Sequence, residues 1–275
     1  MTDTPRACVI GNPISHSLSP KLHGYWLDRY DIKGSYTALQ VADQDLEKTL
    51  RELPAQGFVG MNVTLPHKMA VLEFADQITD RATLIGAANT LTFKEDGRIL
   101  ADNTDGYGFI ANLRQGAPDW DPKAGPAMIF GAGGAARAII VALADAGVPE
   151  IIISNRTRAK AEALRADFGA RIRVVDWVQA GTALADANLL VNTTSLGMKG
   201  AADFKVSLDA LRPETVVTDI VYNPLRTPFL DAAEAVGCTA VDGLGMLLHQ
   251  GVPGFERWFG QRPEVDEATR RAVLA

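Results

Sequence analysis

The chain has 275 residues, of which 47% are hydrophobic and 22% charged, and it carries a formal net charge of −6. That length accommodates one large or two ordinary domains, with enough apolar residues for a sizeable core. The acidic excess, with Lys and Arg scattered among acids, argues against a nucleic-acid partner, and no apolar run approaches the ~20 residues that span a bilayer.

In chain order, short β-branched runs alternate with amphipathic stretches, the pattern of an α/β protein. "ACVIGNP" reads as a strand. "SPKLHGYWLDRYD" reads as a helix, with Ser19 as its N-cap and Pro20 at the first helical position. "GSYTALQV" is strand-like, and "DQDLEKTLRELPAQG" places Leu46, Leu50 and Leu53 at helical spacing. "VGMNVTL" is a further strand, leading into "NVTLPHK". "NTLTF" and "RILADN", joined through Asp96-Gly97, form a hairpin.

A Gly-, Pro- and Asp-rich stretch from Arg114 to Met128 then reads as a loop, with a domain boundary between Tyr107 and Pro126. Beyond it "AMIFGAGG", "EIIISNRT", "RIRVVDW", "NLLVNTTS", "TVVTDIVYN" and "CTAVDG" are strands, with helical segments between most of them. After Gly243 the chain turns helical again, with apolar Met246, Leu247, Val252, Phe255 and Trp258. The expected architecture is two α/β domains. The first spans residues 1–107 and is completed by helices 244–275; the second spans 108–243 as a Rossmann-type, doubly wound parallel sheet.

Two cysteines, Cys8 and Cys238, form no CxxC and no disulfide framework, which fits a reducing compartment with both thiols buried. "MTDTPRACVIG" lacks a charged segment followed by an apolar core, so no export signal is expected and the cytoplasm is the expected location. His16, His23, His67 and His249 show neither HxxxH nor HxxH spacing, so no metal site is expected.

"IFGAGGAARAIIVALADAG" combines a strand, a glycine-rich turn and a helix closing at Gly147. Gly131, Gly133 and Gly134, with Ala136 at the third glycine position, make a dinucleotide fingerprint. Gly131 permits the tight turn, Gly133 lets backbone approach a pyrophosphate, and amides at the helix start receive the anion. At the end of the next strand, where an NAD site places a carboxylate for the ribose, this chain has Asn155, Arg156 and Thr157, then Arg158 and Lys160. A guanidinium grips a 2′-phosphate that a carboxylate would repel, so NADP is favoured. "NTTSLGM" ends the fourth strand of this unit; there Thr194 and Ser195 either face the cofactor or mark a plain strand-to-loop transition.

In the first half, polar clusters stand at strand ends and loops: "SHSLSP", "NVTLPHK", "GAANT" and "DNTDG". Hydroxyls, an amide, an ammonium and a carboxylate suit a small polyhydroxylated acid. "GNPISHSLSP", "NVTLPHK", "GAANT", "DNTDG", "GAGGAAR", "NRT", "DIVYNP" and "DGLGMLLHQ" occur in order over nearly the whole chain, and together they resemble the shikimate dehydrogenase family.

The resemblance implies reversible NADP-dependent interconversion of shikimate and 3-dehydroshikimate, with reduction running toward chorismate and the aromatic amino acids. It implies Ser17 and Ser19 on the substrate carboxylate, and Thr64, Asn89, Asp105, Tyr222 and Gln250 on its ring or hydroxyls. Lys68 is the implied acid/base, and Gln250 reaches the substrate only if the closing helices return to the first domain. The implied cofactor residues are Asp80, Gly131, Ala132, Gly133, Gly134, Ala135, Asn155, Arg156, Thr157, Arg158, Lys160, Thr194, Ile220 and Gly243. Lys160 stands where Arg is also frequent in the family, Ile220 where Met is familiar, and His67 where Phe or His occurs.

Two divisions of labour stay open: Lys68 carries the proton with Asp105 orienting it, or Asp105 helps carry it while Lys68 stabilises the alkoxide. Burial would lower the lysine's pKa and a nearby carboxylate would raise it. The competing functions are an NAD-using quinate/shikimate dehydrogenase and a nucleotide-binding regulator without turnover. Monomer and homodimer are both open.

Overall fold

The computed structural model describes residues 4–275; the first three residues of the stretch read for an export signal lie outside it. The chain forms two compact units. One runs up to Gly108 and takes in Leu247–Ala275, and the other is Phe109–Met246.

The first unit is built from β1 (Arg6–Gly11), α1 (Ser19–Arg29), β2 (Ser35–Gln40), α2 (Leu46–Glu52), β3 (Phe58–Val63), β4 (Gln77–Ile78), α3 (Asp80–Ile85), β5 (Thr90–Phe93) and β6 (Ile99–Asp102). The chain leaves this unit within α4 (Asp105–Gly116). The sheet runs β2-β1-β3-β5-β6-β4. β1 is parallel to β2 and β3, and β5 lies antiparallel between β3 and β6. The hairpin expected at Asp96-Gly97 forms because Gly97 adopts φ +84°, which a turn residue without a Cβ takes freely.

Three local expectations need correction. Ser19 is the first helical residue rather than the cap; Leu18 occupies the cap without a side-chain bond, and the Ser19 side chain is buried near Tyr36. The "DQDLEKTLRELPAQG" stretch is not one helix: α2 is flanked by 3-10 turns at Asp43–Asp45 and Pro54–Gln56, the second beginning at the proline. Arg114, expected to open a loop, lies in the last turn of α4, because Phe109 and Leu113 are buried at helical spacing and hold the helix on the second unit's core.

The second unit contains β7 (Ala127–Phe130), α5 (Gly134–Ala146), β8 (Ile151–Ser154), α6 (Arg158–Phe168), β9 (Ile172–Val175), α7 (Ala180–Ala183), β10 (Leu189–Asn192), β11 (Val216–Asp219), α8 (Pro228–Val236) and β12 (Thr239–Val241). All six strands pair in parallel, in the order β12-β11-β10-β7-β8-β9. Both faces are covered, which explains the near-continuous apolar runs. Ile129, Ile151, Ile153, Leu189 and Val191 enter one core, while Met128, Phe130, Ile152 and Leu190 enter the other.

The chain returns to the first unit within α9 (Leu244–Phe259) and ends in α10 (Glu267–Leu274). Trp258 anchors the return. Its indole N–H donates to the Leu91 carbonyl at 3.1 Å, and Gly60 makes room, since a Cβ there would lie 2.0 Å from the indole nitrogen. Phe255 packs edge-on to Trp26, and His23 stacks on Tyr36 at 3.9 Å. Each such side chain removed from water contributes roughly 1.5–3 kcal/mol, so this aromatic cluster fixes α9 on the sheet. Among the described residues no helix is long and apolar enough to cross a membrane, and Cys8 and Cys238 are free and buried.

Candidate active site

β3 ends at Val63, and its C-terminal end is held by neighbouring strands. The Thr64 amide donates to the Ile10 carbonyl at 2.9 Å and the Asn12 amide to the Leu65 carbonyl at 3.0 Å. Gly11 permits this approach, because a Cβ there would meet the Thr64 methyl at 2.6 Å and the Leu65 carbonyl at 3.0 Å. The chain then turns through Pro66 and presents Lys68, whose own carbonyl accepts from the Ala88 amide at 2.8 Å.

Lys68 Nζ lies 2.6 Å from Asp105 Oδ2. The lysine side chain is 16% exposed and the carboxylate 2%. Asp105 opens α4, and its amide donates to Asn103 Oδ1 at 3.0 Å, which sets the residue's orientation. Its second oxygen, Oδ1, accepts from Asn89 Nδ2 at 2.8 Å. Asn89 is itself fully used: Oδ1 accepts from the Thr104 amide and the Thr90 hydroxyl, and Nδ2 also reaches Gln250 Oε1 at 3.3 Å. The Thr104 hydroxyl bonds the Gln250 carbonyl at 2.9 Å, tying α9 to the cluster.

Lys68, Asn89, Asp105 and Gln250 are thus brought together in the first unit. Ser17 and Ser19 stand on the loop after β1 and the start of α1, with the Ser19 amide 3.3 Å from Ser17 Oγ. Thr64 lies at the end of β3, half-buried. Asp80 is exposed at the first position of α3 and so belongs to this unit, whereas Tyr222 belongs to the second.

Several supporting residues escaped the sequence reading. Tyr36 donates to Asn62 Oδ1 at 2.6 Å, and Asn62 Nδ2 donates to the Asn89 carbonyl. Asp102, wholly buried, accepts from Thr79, from two nitrogens of Arg81 and from Arg257 of α9. Burial would raise its carboxyl, but the bonds from Arg81, Arg257 and Thr79 outweigh that and hold it well below the usual carboxylate range. Their signal was present, since Asn62, Asp102 and Asn103 lie in or beside "NVTLPHK" and "DNTDG".

The second unit carries the glycine-rich turn. Gly131 adopts φ +112°, and a Cβ there would strike the Thr193 hydroxyl at 2.4 Å. Gly133 caps α5 with no side-chain bond, and a Cβ at Gly133 or Gly134 would meet nothing within 4 Å. That open glycine cradle at the start of a 13-residue helix, beside the β7/β10 switch point of the sheet, fits a dinucleotide pyrophosphate. Ala132 stands in the turn and Ala135 in the first turn of α5.

At the end of β8, Asn155 Nδ2 donates to the Thr157 carbonyl at 2.8 Å and shapes the bend into α6. Arg158 is committed to Asp176 at 2.6 Å and Glu162 at 2.9 Å, while Lys160 is exposed. Arg156 is exposed without an ion-pair partner among the described residues. It is therefore the guanidinium open to a phosphate. Thr194 is held by its hydroxyl on Asn192 Oδ1 at 2.7 Å. Gly243 packs on the Ile220 and Val221 backbone so closely that a Cβ would lie 2.5 Å from the Ile220 carbonyl.

A parallel doubly wound sheet with this glycine turn, on the same chain as a largely buried ammonium–carboxylate pair, is the arrangement of a pyridine-nucleotide oxidoreductase. Family models for the shikimate dehydrogenase substrate binding domain (residues 9–91), shikimate / quinate 5-dehydrogenase (119–202) and the shikimate 5′-dehydrogenase C-terminal domain (243–274) match in order. Over 271 residues the chain is 66% identical to a shikimate dehydrogenase (NADP(+)) of Cereibacter sphaeroides, covering 98% of this chain and 97% of that one. It is 65% identical over 274 residues to the Roseobacter denitrificans protein of that name, covering 100% and 99%. The chain belongs to the shikimate dehydrogenase family. Among solved structures, a Thermus thermophilus shikimate 5-dehydrogenase in complex with NADP(H) and shikimate superposes with TM-score 0.86 at 38% identity, over 97% of this chain and 99% of that one. A quinate dehydrogenase from Corynebacterium glutamicum in complex with NAD superposes with TM-score 0.92 at 29% identity, over 98% and 99%.

Proposed function

We propose that the protein is an NADP-dependent shikimate dehydrogenase of the cytoplasm, reducing 3-dehydroshikimate to shikimate on the route to chorismate and the aromatic amino acids. The observation that carries this reading is the Lys68–Asp105 pair. Asp105 engages one ammonium donor, and no other partner of Lys68 Nζ occurs among the described residues, so further N–H groups remain for a substrate oxygen.

Reduction of a ketone needs a hydride on carbon and a proton on oxygen, and bound NADPH supplies the hydride. Lys68 donates the proton to the oxygen and stabilises the negative charge that develops there; in the reverse direction the neutral amine accepts it. Asp105 orients the ammonium, and Asn89, through Oδ1 of that carboxylate, keeps it from rotating. Thr64, Asn89, Tyr222 and Gln250 contact the ring and its hydroxyls, and Ser17 and Ser19 receive the substrate carboxylate. Gly131, Ala132, Gly133, Gly134 and Ala135 receive the pyrophosphate, and Arg156 the 2′-phosphate. Asp80, Asn155, Thr157, Arg158, Lys160, Thr194, Ile220 and Gly243 line the rest of the cofactor. The buried free thiols support a reducing compartment.

The test is absorbance at 340 nm with shikimate, quinate or no substrate, each with NADP+ and with NAD+. NADPH formation that depends on shikimate is expected. A preference for quinate with NAD+ would replace the reading with the quinate dehydrogenase one, and no turnover with either acid would overturn it.

A further inference from the structure

Asp219, the last residue of β11, is wholly buried. It has no cationic partner among the described residues: Oδ1 accepts from Asn192 Nδ2 at 3.0 Å and from the Val221 amide at 3.0 Å, and Oδ2 accepts from the Thr227 hydroxyl at 2.8 Å. These donors come from the ends of two chain segments. Asn192 closes β10 and also grips the loop beyond it, through Thr194 and the Leu196 carbonyl. Thr227 caps α8 by accepting from the Leu230 amide. The Val221 amide lies between Ile220 and Tyr222.

We propose that Asp219 is a positioning residue, whose carboxylate binds the 193–197 and 220–227 loops into one arrangement and so sets Thr194, Ile220 and Tyr222 for cofactor and substrate. This rests on the assignment of those three residues in the proposed function.

The physical reason for a carboxylate here is that three donors converge on one side chain from different directions. A carboxylate accepts from all three at once, whereas an amide presents a donor of its own to one of them. Burying an unpaired charge is costly, and it persists where charge-assisted hydrogen bonds offset the loss of water. Burial pushes the Asp219 carboxyl up to about 6, against the lowering by the Val221 amide, Thr227 and Asn192. Among the described residues no charged side chain shifts it, so the groups facing it from β10, its own loop and α8 are neutral donors.

The test compares Asp219→Asn with the wild type in three measurements. Hydrogen exchange without cofactor should be faster in peptides covering 193–197 and 220–227 and unchanged in β7 and α5. The Kd for NADPH, read by its fluorescence, should rise about tenfold at pH 8, with kcat/KM for NADP+ falling at least as much. Wild-type exchange and Kd in the variant would overturn the proposal.

If Asp219→Asn does not fold, Thr227 decides. Thr227→Val should weaken NADPH binding and Thr227→Ser should restore it, whereas two variants with wild-type affinity would overturn the proposal. A wild-type enzyme that binds NADPH but turns over neither acid would sink the substrate assignment and leave the exchange and Kd tests standing.

Discussion

Lys68 and Asp105 are 37 positions apart in the chain and form a 2.6 Å ion pair whose carboxylate is almost fully buried. Lys68→Ala is expected to lower kcat by roughly 10²–10⁴-fold, the usual weight of a general acid/base, with a modest change in KM for shikimate. Steady-state rates at 340 nm decide it, and near-normal turnover would remove Lys68 from the mechanism.

Asn89 holds both ends of the cluster, so its truncation should cost stability as well as rate. In Asn89→Ala the buried Thr104 amide loses its acceptor, and Asp105 loses the donor to Oδ1. An orphaned buried group costs about 1–3 kcal/mol. Urea unfolding should show a loss of that size together with a reduced kcat. A variant as stable as the wild type would mean that water replaces the side chain without cost.

The Asp102 carboxylate joins Thr79, Arg81 and Arg257. Its folded-state pKa is depressed, so its contribution is full above the unfolded value of about 4 and declines as pH falls below that. Asp102→Asn should therefore be less stable than the wild type at pH 7, with the difference narrowing below about pH 4. Denaturation midpoints across that range check the sign; a constant difference would show that charge is irrelevant there.

Gly60→Ala places a methyl against the Trp258 indole and the Leu91 carbonyl, 2.5 Å away. Overpacking of this kind costs about 1–3 kcal/mol, and here the side chain displaced is the anchor of α9. Lower unfolding free energy and a raised KM for shikimate are expected together, because Gln250 rides on the same helix. Stability loss with unchanged KM would separate the anchor from the site.

Arg156 is exposed and has no ion-pair partner among the described residues, and Arg158 is engaged with Asp176 and Glu162. Arg156→Ala should raise KM for NADP+ by roughly 10- to 100-fold, the worth of a charge-assisted bond, and leave KM for NAD+ nearly unchanged. Equal effects on both cofactors would assign phosphate recognition elsewhere.

The alternation of elements was legible because each is written in contiguous residues. Ile129, Ile151 and Ile153 in short apolar runs announced buried parallel strands, and Asp96-Gly97 announced its hairpin. The Lys68 and Asp105 motifs were legible as polar clusters at strand ends. The cap at α1 was misread, since Ser19 satisfies every local rule for an N-cap, yet tertiary burial beside Tyr36 draws it into the first turn. The Asp102 and Asp219 hubs were missed for a related reason: their partners Arg257 and Asn192 lie 155 and 27 residues away.

Sequence alone determined the order of strands and helices, the glycine turn and the residue types available for chemistry, because side-chain period, backbone freedom and hydrogen-bonding capacity are local properties. Only the folded chain decided which of those groups meet. The Asn89 bond to Gln250 spans 161 residues, and it forms because Trp258 and Gly60 dock α9 on the first sheet. Such long-range pairs are set by packing of the whole unit, which no local pattern encodes.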